Sequence, residues 1–227
     1  MTKAAVDRVI IDEFLPLDAD CPVFGFNLAC AYPFSGIAAD WYREIARRLS
    51  GLDAGVYVYP DWETHVTIIT FVNFSLHRRP EAGRIEELRG LIEPVIEILR
   101  PLLNGRMFSL LIGKPVLTPK AGILPISNDT GDIVRIRREV NAAIEREKEL
   151  HRKLVGAGLN VPGIIHSTVM RFKSVPGDLK HFTSEFKEIA ASVEPVEIKI
   201  EELFLTLELE PYMREGRIEE RFPLAPV

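Results

Sequence analysis

Cysteine is scarce: the chain of 227 residues holds two, Cys21 and Cys30. That is too few for a disulfide scaffold, and both are read as free thiols of a reducing, cytoplasmic compartment. Long apolar runs are missing as well. The uncharged stretch Pro22–Ala39 is broken by Gly25, Pro33 and Gly36, so it reads as strand, turn and helix start rather than a membrane span. The opening Met1–Arg8 carries no apolar leader segment, and no secretion signal is read there. An excess of positive charge is also absent, with 28 basic against 33 acidic side chains and a net charge of −5. Gripping long nucleic acid through its phosphates needs a basic surface. Any nucleic-acid role is therefore expected at an end, or on a small nucleotide. Gly156-Ala157-Gly158 lacks the third glycine of a dinucleotide fingerprint and reads as a helix C-cap, and Lys114 has no phosphate loop around it. No Cys/His set or carboxylate cluster shows metal-ligand spacing, so neither metal nor cofactor is expected.

What is present is an ordinary globular mixture, 47% hydrophobic and 27% charged. Residues 1–20 read as a lead-in with at most a short strand at Arg8–Phe14. Val23–Leu28 reads as a buried strand. Ser35 can cap a helix whose apolar face is Ile37, Trp41, Ile45 and Leu49. Val56–Tyr59 and His65–Phe71 are strand-like around a turn at Pro60-Asp61. Ile85 to Leu99 gives an amphipathic helix that Pro94 should kink or split. Short strands follow at Phe108–Ile112 and Ile123–Ile126. A long helix then begins near Asn128–Thr130, with Ile133, Ile136, Val140, Ile144 and Leu154 on one face. Strand Ile164–Phe172, helix Leu179–Ala191, alternating Val196–Leu209 and an edge strand at Arg217–Leu224 complete the chain. Glu201-Glu202 shifts the alternation of Val196–Leu209, which predicts a bulge or turn. Helices and strands mix throughout, which argues for layered sheets with helices outside, an α+β or α/β arrangement.

One internal repeat carries chemistry. Thr64-His65-Val66-Thr67-Ile68-Ile69-Thr70-Phe71 matches Ile165-His166-Ser167-Thr168-Val169-Met170-Arg171-Phe172, both reading H-x-T-x-x-x-F. The tripeptide alone is weak, because His181-Phe182-Thr183 has it too, at a helix start. In the other two copies it sits on an apolar strand, where residues i and i+2 share a face. Each imidazole and its hydroxyl are then aimed the same way. Two such pairs facing each other would form a compact polar site. One imidazole can accept a proton while the other donates one, and the two Thr hydroxyls can donate to phosphoryl oxygens. Either histidine alone is better read as a core or rim residue on a strand; it is the matched pair that points to function. Thr67 and Thr168 also suit a strand for their own sake.

The twin motifs His65-Val66-Thr67-Ile68 and His166-Ser167-Thr168-Val169 resemble those of the two-histidine (2H) phosphoesterase superfamily, which includes the RNA 2′,3′-cyclic phosphodiesterases also called 2′–5′ RNA ligases. By order of elements the resemblance runs from about Val23 to Leu224, with its specific residues confined to the two motifs. Arg221-Phe222-Pro223-Leu224 is similar to the family's final strand. The resemblance implies an α+β fold of two pseudo-symmetric lobes, each an antiparallel sheet with outer helices, around a central cleft. It implies one two-lobed domain over residues 1–227, its motif lobes centred on 56–74 and 163–174. It also implies metal-independent hydrolysis of cyclic phosphates or 2′–5′ phosphodiester bonds, with an RNA terminus or small cyclic nucleotide as ligand. His65 and His166 become the catalytic pair, and Thr67 and Thr168 the substrate-binding hydroxyls. One histidine would activate water and the other protonate the departing oxygen. His166 is favoured as base, but the assignment stays open. The lead-in and the long Thr130–Val155 segment look larger than in compact members and would reshape the cleft mouth.

Two other readings stand beside this one: a nucleotide- or RNA-end-binding module without turnover, and a 2′–5′ oligonucleotide phosphodiesterase or ligase. Around the motifs, Tyr59 and Trp62 can stack on a base or simply pack. His77-Arg78-Arg79 reads as a solvated loop, and strict alternation puts Arg171 on the face opposite His166.

Overall fold

A computed structural model describes residues 8–15 and 22–225. Cys21, residues 1–7 of the lead-in and residues 16–20 lie outside the described residues. In chain order the elements are β1 (Gly25–Cys30), α1 (Gly36–Ser50), β2 (Val56–Val58), β3 (Val66–Val72), α2 (Ala82–Arg89), α3 (Ile92–Leu102), β4 (Phe108–Ile112), β5 (Val116–Leu117), β6 (Ala121–Ser127), α4 (Asp132–Arg146), α5 (Lys148–Gly156), β7 (His166–Phe172), α6 (Leu179–Ser192), β8 (Val196–Ile200), β9 (Glu202–Glu208) and β10 (Gly216–Pro223). Short 3-10 turns lie at Asp61–Glu63, Phe74–Leu76 and Pro211–Met213.

The strands form two antiparallel sheets. The first has the order β10-β9-β1-β3, and the second β2-β7-β6-β4-β8 with β5 paired to β6. Each sheet takes strands from both halves of the chain. β2 leaves its neighbour β3 to pair with β7, while β9 and β10 return to the first sheet. The outer edge of β3 is met by Asn160, whose N–H and carbonyl bond those of Thr70 at 2.8 and 2.9 Å. Two motif strands far apart in sequence are thus tied close together.

The α+β expectation is borne out. Most elements fall within a few residues of where periodicity puts them, and the differences have local causes. The expected helix over Ile85–Leu99 is split at Gly90-Leu91, and Pro94 sits in the first turn of α3, where a missing N–H is tolerated. The expected long helix is two: Glu147 leaves helical geometry at φ −88, ψ 75, and Leu154 belongs to α5. Asn128 does supply the expected cap, its Oδ1 accepting from the Ile133 N–H at 2.9 Å. Glu201 marks a change of sheet, with β8 in the second and β9 in the first. On α1 the buried face is Ala38, Ala39, Tyr42, Ile45 and Leu49, and Ile37 is exposed. Arg8–Phe14 is no strand. It runs alongside the second sheet on single bonds, Ile10 N–H to the Pro119 carbonyl and Asp12 N–H to that of Phe172.

One continuous core lies beneath both sheets and the outer helices. Its largest fully buried side chains include Tyr42, Phe26, Phe71, Phe172 and Phe186. Each contributes about 1.5–3 kcal/mol by leaving water, which makes the sheet faces that carry the motifs rigid.

Candidate active site

β3 and β7 present the two motifs in the same way. His65 immediately precedes β3 and His166 opens β7. His65 Nδ1 is 2.8 Å from the Glu63 carbonyl, two residues back. At His166 the backbone of Ile164, also two residues back, favours the protonated ring against burial. The carbonyl partner of His65 assigns the proton of its neutral ring to Nδ1 and leaves the Nε2 lone pair free. Tyr32 packs edge-on against His65, with ring centroids 6.2 Å apart. Thr67 and Thr168 follow, each partly exposed between buried neighbours.

Both strands then carry a bulge at the same place. Opposite β3, Ala29 pairs with Thr67 but Leu28 with Ile69, so Ile68 is the extra residue. Opposite β7, Ile123 pairs with Thr168 but Gly122 with Met170, so Val169 is the extra residue. An extra residue reverses the alternation beyond it. Thr70 and Arg171, each five residues after its histidine, therefore return to the face of the imidazoles. This corrects the expectation for Arg171, which strict alternation puts on the opposite face.

The shared face lines a cleft of about 740 Å³ that includes His65, Thr67, Thr70, His166, Thr168 and Arg171. All four motif residues expected from the sequence line this one cleft. A second hollow, of about 490 Å³, lies between the β1–α1 loop, β8 and β10 and holds none of them. Arg171 is held on three sides. Its Nε donates to the Tyr59 hydroxyl at 2.9 Å, one Nη donates to Asp12 Oδ2 at 3.1 Å, and the guanidinium lies 4.2 Å from the Tyr212 ring centre. Asp12 also accepts from the Tyr212 hydroxyl at 2.5 Å and from the Phe14 N–H at 2.9 Å. On the cleft floor, Asn27 Nδ2 donates to Glu208 Oε2 at 2.8 Å.

Burial lowers the proton affinity of both imidazoles below the usual 6.5. The backbone bonds oppose the shift, while the charges of His166 and Arg171 add to it at His65, and those of Arg171 and Arg137 at His166. Burial pushes Glu208 up to about 7 against the bond from Asn27 and the charge of Arg171. Glu63, beside His65, is likewise raised to about 7 by burial, although both its oxygens accept from the Tyr57 hydroxyl at 2.8 Å.

The other residues singled out divide as follows. Tyr59 is buried and lines the cleft through its bond to Arg171, whereas Trp62 is exposed and does not line it. His77, expected in a solvated loop, is buried against the Ala157 carbonyl, and Arg78 pairs with Glu13 at 2.6 Å. His181 sits in the first turn of α6, its N–H capped by Asp178. Cys30 is buried, with burial pushing its thiol up to about 12. Reasoning from sequence passes over Arg171, Asp12, Asn27, Glu208 and Tyr212. For Arg171 a signal exists: two successive apolar residues, Val169-Met170, interrupt the alternation as Ile68-Ile69 do. For the others only the topology brings them to the cleft. Among the described residues no group of three or more His, Cys, Asp or Glu is placed to hold a metal ion, and no helix is long and apolar enough to cross a membrane.

No family model and no curated protein matches the chain. Among solved structures it is similar to TT0787 of Thermus thermophilus, with 20% identity, 89% of this chain and 98% of that one covered, and a TM-score of 0.60. It is similar to E. coli LigT complexed with 3′-AMP at 11% identity, covering 90% and 99% of the two chains, with a TM-score of 0.53. For LigT complexed with ATP the identity is 12%, the coverage 90% and 99%, and the TM-score 0.50. These likenesses span nearly the whole of each chain and show a shared fold. The resemblance drawn from the two motifs is borne out at that level.

Proposed function

We propose that the protein is a two-histidine phosphodiesterase that opens 2′,3′-cyclic phosphate ends of RNA or small cyclic nucleotides. The observation that carries this reading is the convergence of both H-x-T motifs on one cleft, with the His65 imidazole held through the Glu63 carbonyl. The fold shared with LigT, whose structures hold 3′-AMP and ATP, supports a nucleotide as ligand.

The chemistry needs no redox step. The base imidazole takes a proton from water. The water oxygen bonds to phosphorus, the bond from phosphorus to the 3′ oxygen breaks, and the acid imidazole hands a proton to that oxygen. A 2′-phosphate remains. Hydroxyls of Thr67 and Thr168 donate to the non-bridging oxygens as charge builds there. We take His166 as base and His65 as acid. Most phosphate donors in this scheme are neutral, which suits a chain of net charge −5 and a ligand gripped at one phosphate.

The test is turnover of a panel of 2′,3′-cyclic nucleotides and 2′–5′ dinucleotides. His65→Ala and His166→Ala are each expected to lower kcat by roughly 10²–10⁴, as for loss of a general acid or base, and activity should persist in chelator. Full activity in both variants overturns the reading. Tight binding of a 2′-nucleotide with no turnover would instead favour the binding-module alternative.

A further inference from the structure

Arg137 lies on α4, outside both motifs, and is only 7% exposed. Its guanidinium donates to three backbone carbonyls: Nε to Ile68 at 2.9 Å, and one Nη to Thr67 at 3.2 Å and to Ile164 at 3.2 Å. Thr67 is the motif threonine of β3. Ile68 is the extra residue of its bulge. Ile164 lies two residues before His166, as Glu63 does before His65. One side chain therefore spans the backbones of both motifs from behind the cleft.

A purely structural role does not account for the charge. Among the described residues Arg137 makes no ion pair, and burying an unpaired cation is costly. The second bulge shows that a neutral donor suffices to satisfy such a carbonyl, since that of Val169 accepts from the Tyr59 N–H at 2.9 Å. A buried cation at the equivalent place on β3 thus has an effect that a neutral amide lacks. It also breaks the twofold likeness of the site. The carbonyl two residues before His166 accepts from a guanidinium, while the carbonyl two residues before His65 accepts no side-chain donor except that imidazole among the described residues.

We propose that Arg137 is a positioning residue of the two-histidine site. By clamping the carbonyls of Thr67, Ile68 and Ile164, it fixes the spacing of the two motifs around one phosphate, and it sets a positive charge behind His166 that has no counterpart behind His65. The proposal rests on the phosphodiesterase reading for its kinetic consequence, but its effect on His166 stands without turnover. In line with it, the Arg137 charge acts on the proton affinity of His166 and is not among the causes that act on His65.

The experiment is a ring-proton NMR titration of both histidines, with steady-state kinetics, for wild type, Arg137→Met and Arg137→Lys. In Arg137→Met the pKa of His166 should rise clearly while that of His65 moves far less, because the positive charge behind His166 is gone. Arg137→Lys keeps the charge and loses the fork. It should hold His166 near its wild-type titration, yet lower kcat by about 10- to 100-fold with little change in KM, as misplacement of reacting groups does. Equal shifts of both histidines, or none, in a folded Arg137→Met would overturn the proposal. Should that variant not fold, Arg137→Lys decides alone, and a kcat within about twofold of wild type overturns it. A wild-type protein inert on every cyclic phosphate sinks the phosphodiesterase reading instead, and leaves the titration to judge Arg137.

Discussion

Two imidazoles that are both harder to protonate than usual set the pH behaviour of the proposed reaction. Productive free enzyme needs one ring neutral and the other protonated. With both proton affinities below 6.5, the fraction of enzyme in that state peaks between the two depressed pKa values, hence on the acid side of 6.5. The profile of kcat/KM over about pH 4 to 9 should be bell-shaped with its maximum below 6.5. A bound phosphate anion favours the protonated acid, so the alkaline limb of kcat should lie higher than that of kcat/KM. A kcat/KM maximum well above 7 would show that the imidazoles do not share the work as proposed. The sequence makes these two residues legible because their spacing to Thr67 and Thr168 repeats on strands. It does not reveal their basicity. That depends first on burial, then on the backbone two residues back, which any sequence would supply, and on the charges of Arg171 and Arg137.

At the scale of elements, the paired bulge decides what the cleft contains. β3 reads V-T-I-I-T-F-V and β7 reads H-S-T-V-M-R-F. In both, the polar residues recur after two and then three positions, and the side chain five beyond each histidine returns to the site. Period-two reasoning recovers the first half of each strand and loses the second, which is why Arg171 is missed. The segment 8–15 is missed for another reason. Its contacts are single bonds to Pro119 and Phe172 rather than a ladder, so no periodicity betrays it. Yet it brings Asp12 onto Arg171. Asp12→Asn keeps one acceptor oxygen, for the Phe14 N–H, while the amide N–H that replaces Oδ2 can donate to the Tyr212 hydroxyl, so the main loss is the negative charge beside Arg171. Arg171 is then no longer neutralised, and KM for a cyclic phosphate should fall by about two- to tenfold, an advantage that fades at high salt. Asp12→Ala also strips the hydrogen bonds, and should lower stability to urea by about 1–3 kcal/mol. An unchanged KM in Asp12→Asn at low salt would mean that the pair has no bearing on ligand charge.

At the scale of the whole molecule, the exchange of strands between sheets puts acids from distant segments into the shared interior. Glu208 on β9 meets Asn27 on β1 and feels Arg171 from the other sheet. Sequence order hides this, since Val196–Leu209 reads as one alternating stretch and only the Glu201-Glu202 phase shift hints at a break. The consequence is a stability that depends on pH. Glu208 titrates near 7 in the folded protein, against 4.5 for a free glutamate. Below 4.5 the group is protonated in both states and contributes nothing. Between 4.5 and 7 the folded chain holds a proton that the unfolded chain has released, so stability falls as pH rises. Above 7 the full penalty of ionising a buried acid remains. Glu208→Gln is neutral at every pH and can still accept from Asn27. It should therefore stabilise the protein at pH 8 by about 1–3 kcal/mol, and by clearly less at pH 5. The depressed histidines run the other way, since their proton uptake destabilises the fold only as pH falls below 6.5. They are common to both proteins and cancel in the difference. Urea unfolding of wild type and variant at the two pH values measures that difference directly. A gain from Glu208→Gln that is the same at pH 5 and pH 8 would mean that the carboxyl at the cleft floor is not held protonated by the fold.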